Sequence, residues 1–338
     1  MEHLDFYEWN MNGCINSKMI GRVLGVLLLI EMGMLLLCGG ISFCYGENDY
    51  IYFLYTCGVN VVAGILLLLY GRGAENKMNR RDGYCVVSLS WLFFTIFGML
   101  PFYLSGSVDT IANAFFETMS GFTTTGATIL DDIESLSHGM LFWRSLTQWI
   151  GGLGIVFFTI AILPIFTSGG VQLFSAESTG VIHNRTHPKI NVMAKWLWAV
   201  YLILTLLETI LLMFGGMNLF DAICHSFTTT ATGGYSTKQA SISYWNSPFI
   251  EYVVSVFMLL SSMNFALFLM CLKGKVGKIF KDEEVRWFLG SVAILTGMIT
   301  IALVFHNHYD WELAFRKSLF QVTTVHTSCG FATDDYNM

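Results

Sequence analysis

Seven stretches of mostly apolar residues set the terms for this chain: 19–41, 50–70, 84–104, 140–164, 192–216, 248–272 and 286–306. At a rise of about 1.5 Å per residue, each is long enough to cross roughly 30 Å of hydrocarbon as a helix. Lipid offers the backbone no hydrogen bonds, so a spanning segment must pair its own polar groups, which a helix does. Only 12% of the residues are Asp, Glu, Lys or Arg, about half the share in a soluble domain, and the mean hydropathy is +0.58. The first run is not a cleavable signal, because Glu2, Asp5 and Glu8 precede the first basic residue where a signal peptide would be positive. The net charge of −6 removes any basic field for nucleic acid. The 8 cysteines form no C-x-x-C pair, which argues against a zinc module or a disulfide scaffold.

Between the runs lie three segments too short and too polar to cross: 109–131, 219–237 and 310–333. Each opens beside an acidic residue, continues through a short amphipathic stretch and ends in a Thr/Ser run followed by glycine. Aligned on one glycine they read TTTG (Thr123–Gly126), TATG (Thr230–Gly233) and TSCG (Thr327–Gly330), at intervals of 107 and 97 residues (233 − 126 and 330 − 233). A self-similar period of this kind marks a repeat architecture. The unit is span, short helix, Thr/Gly turn, span. The expected fold is an all-α membrane protein whose repeated span–pore helix–span units surround a central ion pore, with two extra N-terminal transmembrane helices. Its expected divisions are an N-terminal cytoplasmic tail (1–18), a two-helix hairpin (19–72), repeat one (84–165), repeat two (190–273) and an incomplete repeat three (285–338). A fourth repeat is absent, so the chain reads as C-terminally truncated and, by itself, inactive.

The basic residues orient the spans. If the Thr/Gly turns enter from outside, 14 of the 18 Lys and Arg fall inside and only Arg144, Lys238, Arg316 and Lys317 stay outside, as the positive-inside rule requires. The outer side then carries Asp49, Asp109, Asp131, Asp132, Asp221, Asp334 and further acids. Such a vestibule concentrates cations at the mouth.

A bare cation enters hydrocarbon only where fixed oxygens replace its lost water. Rings of backbone carbonyls do so, and glycine allows the backbone angles that a carbonyl-lining turn needs. Threonine adds a hydroxyl oxygen, and the C-terminal end of a preceding short helix directs partial negative charge at the ion. Irregular backbone at membrane depth is tolerated where it lines a cavity or is buried in protein, and the three turns satisfy that condition.

The segments SWLFFTIFGMLPFYLSG (90–106), FFETMSGFTTTGATIL (115–130), WRSLTQWIGGLGIVFFTIAILP (143–164), GGVQLFSAESTG (169–180), FDAICHSFTTTATGGYST (220–237) and WNSPFIEYVVSVFMLLSSMNFALF (245–268) resemble the Trk/Ktr/HKT potassium-transporter superfamily, and the two extra N-terminal spans resemble its TrkH-like branch. The resemblance implies a K⁺-uptake pore subunit in a bacterial inner membrane, with four repeats around one pore. It also implies a homodimer gated by a cytosolic nucleotide-binding RCK-type subunit, with K⁺ as transported ion and no cofactor. By the same resemblance Thr124, Thr125 and Gly126, Ala231, Thr232 and Gly233, and Ser328, Cys329 and Gly330 are the filter strands whose carbonyls coordinate K⁺, flanked by Thr123, Thr230 and Thr327. Ala231 and Cys329 depart from the family's threonine.

Glu31, Glu117 and Glu208 lie at membrane depth, where ionisable groups are costly. Glu117, in the first pore helix, is expected to anchor the filter from behind; Glu31 and Glu208 are expected to bond between helices. His183, His187, His225 and His326 have no ligand spacing, and the glycines of WIGGLG (149–154) are expected to permit close packing. Two other readings fit less well. A secondary solute or cation symporter predicts inverted repeats, whereas these run in one orientation. A membrane-embedded oxidoreductase needs a cofactor loop or paired ligands, and the chain carries neither, so no catalytic residue is expected.

Overall fold

The computed structural model describes residues 15–75, 79–154, 190–264, 267–268, 277 and 281–334. Residues 155–164 of the expected span 140–164, residues 265–266 and 269–272 of the expected span 248–272, and His183 and His187 lie outside these residues. The described chain is helical, with connecting turns.

Helices α1 (Ser17–Cys44) and α2 (Tyr50–Tyr70) form an antiparallel hairpin. Their backbones approach closely at Gly25 and Gly64, where a Cβ on Gly25 would come within 2.8 Å of the Gly64 carbonyl. Small residues at a crossing are how helices in lipid gain contact without a hydrophobic driving force. The Asn16 side chain caps α1 by accepting from the Met19 amide at 3.1 Å. The Asn16 amide donates to Asp82 at 3.0 Å and its side chain to the Glu75 carbonyl at 3.1 Å. The start of α1, the end of α2 and the start of the next helix therefore share one side of the bundle.

Helix α3 (Arg80–Gly98) continues after one break into α4 (Leu100–Leu104), and together they form a 24-residue apolar span from Arg81. Pro101 causes the break, since it has no N–H to continue the ladder. Next comes α5 (Ile111–Phe122), 12 residues or about 18 Å, half a bilayer. Then follow α6 (His138–Gly152), α7 (Ile190–Phe214), α8 (Leu219–Thr230), a 3-10 turn (Ser241–Trp245), α9 (Pro248–Ser262), α10 (Glu283–Asn307) and α11 (Trp311–His326). The half-length helices α5 and α8 start at side-chain caps: Thr110 accepts from the Asn113 amide and Asn218 from the Asp221 amide.

Each half-length helix lies in a cradle. Helix α5 packs on α3 and α6, α8 on α7 and α6, and α11 on α10 and α9. Helices α6 and α9 thus each serve two repeats, closing their own and supporting the next one's half-helix. Two buried clusters result, one spanning α1–α6 and one drawn from α7, α8, α9 and α11. The outer faces are apolar: Leu54, Val62 and Leu66 on α2, and Trp287, Ile294, Met298 and Phe305 on α10 are exposed. Such a surface suits lipid tails or the apolar faces of other helices.

Candidate functional site

All three half-length helices end in the same way. The cap residues Thr123, Ala231 and Thr327 keep a right-handed or near-right-handed backbone. The next residues, Thr124, Thr232 and Ser328, turn left-handed, with φ of 54°, 51° and 58°. The amides one residue further on, of Thr125, Gly233 and Cys329, bond back five residues to the carbonyls of Ser120, Thr228 and Thr324 at 3.0, 2.8 and 2.9 Å. This is the reversal that ends many helices, normally built on glycine. A threonine or serine there costs roughly 1–3 kcal/mol and persists only where the surroundings impose it. The position after the bond-back residue is a glycine with positive φ in each case: Gly126 at 76°, Gly234 at 75° and Gly330 at 88°.

That register corrects the sequence alignment by one residue in the second repeat. Ala231 stands with Thr123 and Thr327, outside the left-handed turn, and Gly234 stands with Gly126 and Gly330. The spacings become 108 and 96 residues (234 − 126 and 330 − 234). Two adjacent glycines, Gly233 and Gly234, offer the sequence two solutions, and the point at which α8 stops decides between them. The signal lay downstream, where Gly234-Tyr235-Ser236-Thr237 parallels Gly330-Phe331-Ala332-Thr333. All three left-handed residues carry a hydroxyl, so the departure read at Ala231 disappears. Thr230 is the last residue of α8 and matches Phe122 and His326 rather than Thr123.

The turns meet one another. A Cβ on Gly126 would run into the Gly233 carbonyl and lie 3.8 Å from that of Cys329, while one on Gly234 would meet the Cys329 carbonyl. Backbone oxygens of the second and third turns therefore gather within a side chain's reach of the first turn, as a carbonyl-lined site requires. Ala231 and Cys329 are buried with them.

Buried polar groups hold the gathering from behind. Glu117 accepts from the Thr128 hydroxyl at 3.0 Å, from the Ile129 amide at 3.1 Å and from Arg144 Nε at 2.7 Å. It thereby ties the strand leaving the first turn to its own pore helix. Arg144 Nη1 also donates to the Ser236 carbonyl at 3.0 Å, and its guanidinium lies 3.6 Å from the centre of the Tyr235 ring. The Tyr235 hydroxyl returns to repeat one, donating to the Glu117 carbonyl at 2.8 Å. Gln148 spans the same interface, its Nε2 donating to the Gly233 carbonyl at 2.7 Å and its Oε1 accepting from the Tyr235 amide at 3.1 Å. A second ion pair, Arg316 to Glu251 at 2.7 Å, joins α11 to α9, with the more exposed Glu312 adding a bond at 3.0 Å.

Arg144 and Arg316, expected on the outer side from sequence, are buried in ion pairs. Asp221 is buried as well, accepting from the Thr237 hydroxyl at 2.6 Å. Neither Arg144 nor Gln148 stood out in the sequence; a cation and an amide inside an otherwise apolar helix beside the first turn were the available signal. His225 is a structural histidine. Its Nδ1 faces the Asp221 carbonyl at 2.8 Å and so donates, leaving Nε2 to accept from the Ser236 hydroxyl at 2.9 Å. His326, exposed beside the third turn, pairs with the Ser291 hydroxyl at 3.1 Å. Glu31 is buried with Gly98, Phe122 and Trp143 behind the first pore helix, and Glu208 faces Thr229 and Thr230 of the second. Gly151 lets α6 press against the Phe122 carbonyl, where a Cβ could not fit. At the start of α5, Asp49, Asp109, Asp131 and Asp132 line a cavity of about 530 Å³ formed by the α1–α2 loop and repeat one. Among the described residues no group of three or more His, Cys, Asp and Glu is placed to hold a metal ion.

Repeated spans around half-length helices whose C-terminal turns converge define a repeat-built membrane transport protein of the pore-helix class. The sequence pattern of the TrkH family, described as cation transport protein, matches residues 54–338. The chain belongs to that family. It is 40% identical over 324 residues to the Trk system potassium uptake protein TrkH of Salmonella typhimurium, covering 95% of this chain and 67% of the relative. It is 35% identical over 326 residues to the protein of the same name from Halomonas elongata, covering 96% and 68%. Among solved structures, the potassium transporter TrkH from Vibrio parahaemolyticus superposes with a TM-score of 0.83 at 32% identity, over 94% of this chain and 66% of that one. The chain spans about two thirds of the length of these relatives.

Proposed function

We propose that this protein is the ion-translocating subunit of a Trk-type potassium uptake system. K⁺ is coordinated by the carbonyls of Thr124, Thr125 and Gly126, of Thr232, Gly233 and Gly234, and of Ser328, Cys329 and Gly330. The observation that carries this reading is the convergence of three left-handed Thr/Ser turns, each closed by a positive-φ glycine, at the C-terminal ends of three half-length helices. Those helix ends add partial negative charge on the cation, and the acidic cavity beside the start of α5 adds negative potential that attracts cations. Uptake takes place across a bacterial inner membrane, by a homodimer working with a cytosolic nucleotide-binding RCK-type subunit.

The test is uptake of Rb⁺, a K⁺ surrogate, by cells that lack their own potassium systems and produce the full gene product. Growth at limiting K⁺ and Rb⁺ uptake resisting excess Na⁺ are expected. A protein that reaches the membrane and supports neither overturns the reading.

A further inference from the structure

We infer that Gln148 is the positioning residue of the second filter turn and sets its discrimination between cations. The inference rests on the proposed function and concerns a side chain from the preceding repeat.

Gln148 is fully buried, and its carboxamide makes two bonds to one strand, bracketing Gly234: Nε2–H to the Gly233 carbonyl at 2.7 Å, and Oε1 from the Tyr235 amide at 3.1 Å. Its orientation is determined, since a carbonyl only accepts and an amide N–H only donates; the flipped side chain would lose both bonds. The first and third turns are pinned differently, from within their own pore helices. There Ser120 donates to the Ala127 carbonyl at 2.6 Å and Thr324 to the Phe331 carbonyl at 2.9 Å, each seven residues on. The corresponding hydroxyl of repeat two, Thr228, is turned back onto the His225 carbonyl. The second turn has an external clamp in place of the internal pin.

The sequence carries the imprint of this clamp. A Cβ at position 233 would fall inside the Gln148 carboxamide, so this position is glycine where the other turns have Thr125 and Cys329. Helices α6 and α9 are both 15 residues long and both start after a serine. At the place in α9 where α6 has Gln148 stands Met258, which shares a buried apolar cluster with Cys329. Where the clamp is missing, the neighbouring turn has its Cβ. The bond also occupies one lone pair of a filter carbonyl, which fixes that oxygen's direction and weakens its pull on an ion. Ion discrimination depends on both the placement and the field strength of such oxygens.

Gln148→Glu keeps an oxygen for the Tyr235 amide but sets a second oxygen against the Gly233 carbonyl. Gln148→Ser removes both bonds and leaves space. The measurement is Rb⁺ uptake and its inhibition by Na⁺ in cells producing the full gene product, normalised to protein in the membrane. With either variant, the preference for Rb⁺ over Na⁺ is expected to fall about tenfold, equivalent to roughly one buried hydrogen bond, while total uptake changes far less. Unchanged preference in both variants overturns the inference. Failure of both to accumulate assigns Gln148 to folding alone and overturns it too. A wild-type protein that takes up no Rb⁺ refutes the proposed function instead. As a second measurement, Gly233→Ala alone is expected to reduce folded protein severalfold, and to be tolerated when combined with Gln148→Ser. Equal losses in both backgrounds count against the clamp.

Discussion

Helix α6 and helix α9 occupy the same place in successive repeats, each supporting the next repeat's half-helix, yet they grip that repeat by different means. From α6, Arg144 and Gln148 reach across with charge-assisted and amide bonds to Ser236, Gly233 and Tyr235. From α9, Val254, Phe257 and Met258 present an apolar surface to Phe320, Cys329 and Phe331, and one ion pair, Glu251–Arg316, stands closer to solvent. Polar grips at membrane depth have directions and specify one position; an apolar surface holds by contact and accepts small shifts. Irregular backbone is therefore held most firmly at the junction of repeats one and two.

The largest expected effect breaks the polar junction. The Arg144–Glu117 side chains are 2% and 0% exposed, against 10% and 7% for Arg316–Glu251. Arg144→Met leaves Glu117 buried without its cation, at a cost of about 3–5 kcal/mol, and protein recovered from the membrane should fall sharply; adding Glu117→Gln should restore much of it. Arg316→Met should cost less, since water reaches that pair more easily, and thermal unfolding in detergent should rank the two in that order.

Next come the glycines of the turns. Gly126→Ser and Gly234→Ser place a side chain both at a left-handed backbone position and against a neighbouring carbonyl. Each should lower the Rb⁺ over Na⁺ preference by about tenfold or more, taking the loss of a carbonyl ligand as at least one hydrogen bond's equivalent. If Gly234→Ser is silent, the corrected register of the second turn is wrong.

A smaller contrast sharpens the difference between internal pins and external clamp. Ser120→Ala and Thr324→Val each remove a hydroxyl that holds the strand beyond a turn, and should cost about 1 kcal/mol in unfolding measurements. Thr228→Val should cost less than either, because its hydroxyl bonds only within its own helix. Equal losses at all three would remove the distinction.

The smallest effects concern the starts of the half-helices. Thr110→Ala and Asn218→Ala remove side-chain caps, at about 1 kcal/mol each. Asp310→Ala should cost less, since that side chain makes no capping bond to α11.

Much of the architecture was legible because membrane solvation is unforgiving. A run such as 50–70, with no water to pair its backbone, becomes a helix of the same bounds, Tyr50–Tyr70, whatever its neighbours do. The three half-length helices were legible for a related reason: 109–131, 219–237 and 310–333 are too short to span, and their Thr/Gly endings mark where each helix must reverse. Glu117 too could be singled out, as a carboxylate in an otherwise apolar helix needs a partner. The identity of that partner was not readable. Arg144 is 27 residues from Glu117, 92 from Ser236 and beside Tyr235, and although its place inside an apolar span calls for a partner, nothing local says which. The same holds for Asp221, which is internal because Thr237 folds back over it.

Local physics thus determined, from sequence alone, which segments cross, which only enter, and that each entering helix ends in a reversal. The structure decided which glycine closes the second reversal, because both Gly233 and Gly234 can adopt the angles and the end of the half-helix at Thr230 puts Gly234 in that place. It also decided which charges lie inside, because a buried ion pair is a property of two helices, and a single helix carries only half of it.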